Sequence, residues 1–376
     1  MEILAAVAGL ALIAVTLWDA FETVVLPRRV SHPVRLTRAF YRSTWWLWTR
    51  LARVAPRGGD GGEISSPREA FLGLYGPLAL IVLLSLWAAV LVVAFAMLQW
   101  SLGSALAVAT PTAPGFGADL YMSGTTFFTL GLGDVVPRGG LPRALAVIEA
   151  GTGFAFLALV IGYLPVLYQA FSRREADISL LDARAGSPPS ATELIRRNAA
   201  AGQCEALDPV LQRAEEWSAQ LLESHLSYPS VAFFRSQHEN QSWLAALTAT
   251  LDASALVLTC LDGIPTGQAR ATFAIARHTA VDLAQLFDLS PTKPVPDRLP
   301  AADLARLRTV LAGAGIPLRA DPDAATRLTT LRGLYEPYVA ALGAYLLMAL
   351  PPWLHPEGVP DDWQTTPWAP PDELPS

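Results

Sequence analysis

Three apolar runs constrain this chain more than anything else in it: Ile3 to Leu26, Phe71 to Trp100 and Leu141 to Phe171. Each reaches the roughly 20 residues that a helix needs to cross a hydrocarbon layer about 30 Å thick. Lipid offers the backbone no hydrogen-bond partners, so spans of this kind are helical. Composition agrees, since 16% of the 376 residues are charged, against about 25% in ordinary soluble domains. The first run opens on acidic Glu2 and has no small-residue cleavage site after it, so it is read as a retained helix and not as a signal peptide.

Charge orients the spans. Arg28, Arg29, Arg35, Arg38, Arg42, Arg50, Arg53, Arg57 and Arg68 lie between the first two runs against only Asp60, Glu63 and Glu69, whereas Ser101 to Leu120 holds no Lys or Arg. The positive-inside rule then predicts a multi-pass protein of the cell membrane with its N-terminus outside and its C-terminal half cytoplasmic. Within the basic segment, Leu36, Phe40, Trp45, Trp46, Trp48, Leu51 and Val54 interleave with arginine, which is the composition of a helix lying among lipid headgroups. The alternative is that these aromatics pack on other helices of the protein. Asp19 and Glu22, near the end of the first run, are expected to meet Arg28 or Arg29 or to reach water. The net charge of −6 argues against a nucleic-acid partner. Cys204 and Cys260 are too few for a disulfide framework and fit a reducing compartment.

Between the second and third runs, Gly117 to Phe128 is too short to cross. As a helix it covers about 18 Å, roughly half the hydrocarbon thickness. It runs into Thr129-Leu130-Gly131-Leu132-Gly133-Asp134. Non-helical backbone at membrane depth survives only where protein buries it or where it lines a watery path. Such a loop calls for a pore.

The run Thr125-Thr126-Phe127-Phe128-Thr129-Leu130-Gly131-Leu132-Gly133-Asp134 resembles the pore-loop signature of prokaryotic potassium channels of the two-transmembrane type, here with one extra N-terminal helix. The resemblance covers about Phe71 to Arg174 and implies an outer helix, a re-entrant pore helix with its filter, and an inner helix. It implies that the carbonyls of Thr129, Leu130, Gly131 and Leu132, with the Thr129 hydroxyl, bind K+ as the permeant ion, with Gly133 and Asp134 at the outer mouth. It also implies a homotetramer, because one loop cannot enclose an axis. Glycine adopts the left-handed torsions that such a loop needs, and the negative end of the short helix favours a cation below it. Leu132 stands where the family usually has tyrosine. Tyr121 and Met122 replace tryptophans that often cuff the filter, and Thr125 replaces a glutamate that braces the aspartate in some bacterial members.

In the third run, Gly153 lies 20 residues after Gly133, where the family has its gating hinge. A membrane-helix glycine also serves as a close-packing site, and both readings stand at this point. Gly162 to Pro165 is a second gating candidate, since proline removes a helix hydrogen bond. Glu149 is an intramembrane carboxylate, expected behind the filter against Thr125 or Thr126, the alternative being that it lines the ion path. Arg173, Arg174 and Glu175 read as snorkelling residues at the exit to the cytosol.

From Asp177 the composition becomes that of a soluble helical domain. Helical periodicity recurs in Ala191 to Ala201, Leu207 to Leu226, Ser242 to Leu261, Ala269 to Phe287, Ala301 to Ala314 and Ala324 to Leu350. Linkers fall at Gly186 to Pro189 and Ser290 to Leu299. The apolar stretch Tyr335 to Leu350 starts with Glu336 and Pro337 and is too short to span. The tail beyond Pro351, with Trp353, Trp363 and Trp368, is expected to be disordered. No dinucleotide fingerprint, metal-ligand spacing around His225, His238 and His278, or catalytic constellation stands out. An all-α membrane protein follows, with an N-terminal span (1–26), a basic interfacial segment (27–70), a pore domain (71–174), a helical cytoplasmic domain (175–350) and a tail (351–376). The expected function is a potassium channel with no cofactor and no enzymatic activity, its partners being further copies of itself, membrane lipid and an unidentified cytoplasmic effector. The alternatives are a non-selective cation channel and a membrane-anchored sensor whose pore does not conduct.

Overall fold

The computed structural model describes residues 1–26, 36–53, 67–108, 115–199, 206–238, 240–291 and 297–355. Arg28, Arg29, Cys204, Trp363 and Trp368 fall outside them, as do the Gly58 to Gly62 run and Val54. The described chain is almost wholly helical, and among the described residues three helices are long and apolar enough to cross a membrane. It divides into two compact units, one ending at Gln169 and the other starting at Ala170.

In the first unit, α1 (Glu2–Ala20) ends in a π-helical turn, Phe21–Val25. It lies antiparallel along α4 (Tyr75–Ser101), as the pairings of Gly9 with Ala94 and of Asp19 with Trp87 require. A Cβ on Gly9 would stand 2.8 Å from the Ala94 carbonyl, so the absent side chain is what lets these helices approach. Asp19 and Glu22 do not reach water, each being 4% exposed. Asp19 instead accepts from the Trp87 indole (3.0 Å), the Thr37 hydroxyl (2.7 Å) and the Thr37 backbone N–H (3.2 Å). Thr37 stands in the first turn of α2 (Leu36–Ala52), so the carboxylate caps α2 from another helix, where donors are otherwise orphaned. Glu22 accepts from the Trp18 indole.

Helix α2 fits both of its sequence readings, on different faces. Tyr41 and Trp45 are buried, and Trp48 stacks flat on Phe71 of α3 (Pro67–Gly73) with centroids 4.4 Å apart. Trp46, Leu47 and Leu51 are exposed, and the Arg50 guanidinium lies 4.7 Å over the Trp46 ring. An amphipathic face of arginine and tryptophan suits the headgroup layer.

A two-stranded antiparallel ribbon frames the pore loop. β1 (Leu106–Val108) pairs with β2 (Val135–Pro137), Ala107 opposite Val136, and so ties the chain before the short helix to the chain after the Thr129 to Gly133 loop. Helix α6 (Gly140–Ala185) then runs unbroken through Pro165 and extends 14 residues past the expected end of the span at Phe171. At 46 residues it is about 69 Å long, more than twice the hydrocarbon thickness.

The second unit is a bundle of α7 (Ala191–Ala199), α8 (Leu207–Ser227), α9 (Trp243–Thr259), α10 (Gly267–Leu286), α11 (Ala301–Gly313), α12 (Ala324–Arg332) and α13 (Glu336–Leu346), with the last residues of α6. Every residue of α9 but Leu258 is buried, so this helix, apolar all round, is the core. Thr248, Thr250, Ser254 and Thr259 survive there because each hydroxyl donates to the carbonyl four residues back. The expected helix from Ala324 to Leu350 is two helices, broken at Gly333 to Tyr335. Pro337 explains the break, because its ring would meet the Gly333 carbonyl and it cannot donate to it, whereas proline suits the first turn of a new helix.

Two further expectations are corrected here. The described part of the tail, through His355, packs on the bundle, with Trp353 2% exposed, while the rest lies outside the described residues. The guanidinium groups of Arg298 (5.7 Å) and Arg332 (5.5 Å) lie over its ring, and its carbonyl accepts from the Thr192 hydroxyl at 2.6 Å. Arg174 is not a snorkelling residue but 3% exposed. It donates to the carbonyls of Val231 (2.9 Å) and Phe234 (2.8 Å) around the 3-10 turn Pro229–Phe233, whose Val231 carbonyl also accepts from the Phe234 N–H.

Candidate functional site

The short helix α5 (Phe116–Phe127) is a 12-residue element wedged against α4. Its last carbonyls set the geometry of the loop that follows. The Thr129 N–H donates to the Thr126 carbonyl (3.0 Å), and the N–H groups of Leu130 (2.7 Å) and Gly131 (3.2 Å) both donate to the Thr125 carbonyl. The donors of the loop thus point back at its own helix. Among the described residues, the carbonyls of Thr129, Leu130, Gly131 and Leu132 accept no hydrogen bond.

Backbone torsions alternate through the same stretch. Thr129 (φ +57°), Gly131 (φ +51°) and Gly133 (φ +81°) are left-handed, while Leu130 and Leu132 keep negative φ. Alternating handedness brings successive carbonyls back to one side of the strand. A left-handed torsion at β-branched Thr129 is strained and has to be held by its surroundings, here by the bonds to Thr125 and Thr126. The loop is exposed on the single chain, Leu130 and Leu132 at 63% each, and a Cβ on Gly131 or Gly133 would meet nothing within 4 Å.

Several side chains reach the loop from behind. Tyr121 donates its hydroxyl to the Asp134 carboxylate at 3.0 Å and so ties α5 to the residue that follows Gly133. Glu149 is fully buried and does not face open space in the chain. Its partner is Ser123 of α5, not Thr125 or Thr126, and the Ser123 hydroxyl also lies 2.7 Å from the Val92 carbonyl of α4. One serine thereby joins the outer, pore and inner helices. The Thr125 hydroxyl is turned to the Met122 carbonyl at 3.0 Å. Neither Tyr121 as a brace nor Ser123 as a partner was found from the sequence, although Ser123 stands one turn before Thr126 on α5, where an i, i+3 count would have traced it.

Gly153 marks the closest approach of α6 to the pore helix. A Cβ built there would stand 1.9 Å from the Phe127 carbonyl oxygen and 2.8 Å from its carbon. The same construction at Gly151 and Gly162 meets nothing within 4 Å. Around this contact Phe127 packs on Ala88, Leu91 and Val92, with Phe156 of α6 at its edge, the rings 5.9 Å apart. Among the described residues no cluster of His, Cys, Asp and Glu is placed to hold a metal ion. His225 is buried with Nδ1 on the Leu221 carbonyl, and His278 is an exposed partner of Asp282.

Residues 79–169 match the model of a family described as "Ion channel", and so cover α4, the pore loop and the membrane part of α6. A protein described as uncharacterized membrane protein YdjJ of Bacillus subtilis (strain 168) is 25% identical over 248 residues, 65% of this chain and 67% of that protein. No solved structure matches the chain. The chain is an all-α membrane protein that carries a pore-loop ion-channel domain.

Proposed function

We propose that the protein conducts K+ passively across the cell membrane as a homotetramer, through a filter formed by Thr129, Leu130, Gly131 and Leu132 of each chain. The observation that carries this reading is the row of unpaired carbonyls on an alternating backbone between Thr129 and Gly133. In a membrane such oxygens need a replacement partner. Stacked carbonyl rings that take over a cation's hydration shell supply one, and potassium sheds its water to rings of this kind.

Four chains are what the resemblance to potassium channels implies. A single loop leaves its oxygens facing open space, and closed rotational symmetry suits such loops set around one axis. The burial of the spans supports this. Half of the apolar window of α4 is buried within the chain, against 11% of that of α6. Val147, Ile148, Phe154, Leu157 and Ile161 are left for other copies and for lipid to cover.

Ions move downhill with no covalent step. Pro165 interrupts the hydrogen bonding of α6, which makes Gly162 to Pro165 the place where the inner helix bends at the cytoplasmic gate. Gly153 holds the same helix against the base of the filter. The positive-inside pattern puts the N-terminus outside and the helical bundle in the cytosol, where an effector acts on the gate.

The test is K+ flux into liposomes holding the purified protein, with Gly131→Ala as the control. Uptake driven by a K+ gradient and lost in the variant supports the reading. Absence of uptake over the whole range of membrane potential and pH, from protein that sediments as a tetramer, refutes it.

A further inference from the structure

Helix α6 does more in the second unit than connect to it. Its face carrying Asp177, Leu181 and Arg184 looks onto the face of α8 carrying Val210, Ala214 and Trp217, and the two are held apart by a cavity of about 240 Å³. The cavity opens at the surface, where Leu180 is 52% exposed, and its floor on α8 is apolar, with Val210, Ala214 and Trp217 each 4% exposed.

The charged groups at this cavity favour an anion. At the rim, Arg213 bridges to Asp177 at 2.7 Å and so spans α8 and α6. Arg184 makes one long bond, 3.3 Å to the Asn198 side chain, which leaves the rest of its guanidinium open. Two cations against one anion give the lining an excess of one positive charge.

We propose that this cavity is the binding site for a small organic monoanion, an apolar ring or short chain bearing one carboxylate, and that it is the effector site of the channel. The apolar body fills the space between Leu181 and Ala214, and the carboxylate is held by Arg184 and Arg213. Size excludes larger effectors, since organic-ligand sites commonly span about 300–1,000 Å³ and this one is smaller. The effector role rests on the channel reading, because the wall bearing Asp177 and Arg184 belongs to the helix that contains Pro165. A ligand that binds one setting of α6 relative to α8 more tightly than another shifts the gate by that difference in affinity.

Binding is tested first, without any flux. The full-length protein is titrated calorimetrically with benzoate, with benzyl alcohol as the uncharged analogue and inorganic phosphate as the charge without the body. Saturable benzoate binding near 1 mM or tighter, roughly the scale for a ligand of this size, is expected. Benzyl alcohol and phosphate are each expected to bind at least tenfold more weakly. Arg184→Gln weakens benzoate at least fivefold, and Ala214→Phe, which fills the cavity, abolishes it. Arg184 is exposed, so its variant keeps the test open should Ala214→Phe misfold. No saturable benzoate binding, or binding undiminished in Arg184→Gln, overturns the site. In liposomes, saturating benzoate then changes K+ flux at least twofold in the parent and not in Arg184→Gln. Flux unchanged by bound benzoate overturns the effector role, whereas a protein that binds benzoate yet carries no ions refutes the channel reading alone.

Discussion

Replacing Gly153 by alanine asks directly whether this glycine is a contact or a hinge. The added methyl would lie 1.9 Å from the Phe127 carbonyl oxygen, where a carbon normally keeps about 3.3 Å. The inner and pore helices would have to part by about 1.4 Å. The obstacle is backbone, so no side-chain rotation relieves it. Overpacking typically costs about 1–3 kcal/mol, and a rigid backbone contact puts this one at the upper end. Phe127 lies two residues before Thr129, on the helix whose Thr125 carbonyl anchors Leu130 and Gly131, so the displacement reaches the filter. The expected result is a fall of about 5 °C or more in melting temperature and at least a tenfold loss of K+ flux. Gly151→Ala and Gly162→Ala, which add a methyl to open space, keep the parent's melting temperature. The reasoning is refuted if Gly153→Ala melts and conducts like the parent. A hinge without a packing role would show a different pattern, reduced flux at unchanged stability.

Tyr121→Phe removes the hydroxyl that braces Asp134, and single-channel recording should show shorter openings and weaker K+ over Na+ discrimination while the protein stays a tetramer. Asp19→Leu leaves the Trp87 indole and two Thr37 donors without their acceptor, and the melting temperature in detergent is expected to drop by the equivalent of about 2–4 kcal/mol, since each buried orphan donor costs about 1–3 kcal/mol. His225 is held by burial, and then by the charge of Arg174, at a pKa of about 3 against an ordinary 6.5. A depressed folded value means stability is complete above pH 6.5 and falls as the pH drops from there toward 3. The slope from this one group is about 1.4 kcal/mol per pH unit, and His225→Phe should flatten it in melts between pH 6.5 and 5. Trp353→Ala removes the buried ring that Arg298 and Arg332 lie over and is expected to cost about 3–5 kcal/mol, read as premature proteolysis of the C-terminal bundle.

The spans and the pore loop were legible because their signals are local. Apolar length predicts a span, and two glycines at alternate positions after a half-length helix predict a loop of unusual torsions. Contacts between distant residues left no such mark. Nothing local pairs Asp19 with Trp87 or Glu149 with Ser123, because each depends on which helices become neighbours. Arg174 shows the same limit in another form: its position at the end of a span predicts solvent, yet a turn more than 50 residues later supplies the carbonyls that bury it. The split of the last helix at Pro337 was legible and was underweighted against a long apolar period. Trp353 sits in a proline-rich tail by composition, and only the two arginines that lie over its ring explain its burial.

The central claim is selective conduction through the Thr129 to Gly133 carbonyls. Its most direct test is the reversal potential of the purified protein in a planar bilayer with opposed K+ and Na+ gradients. The account predicts reversal close to the potassium equilibrium potential, and loss of that current in Gly131→Ala. Reversal near zero would contradict it, and would mean that Leu132, lacking the hydroxyl of a tyrosine, leaves the ring too loose to tell the two ions apart.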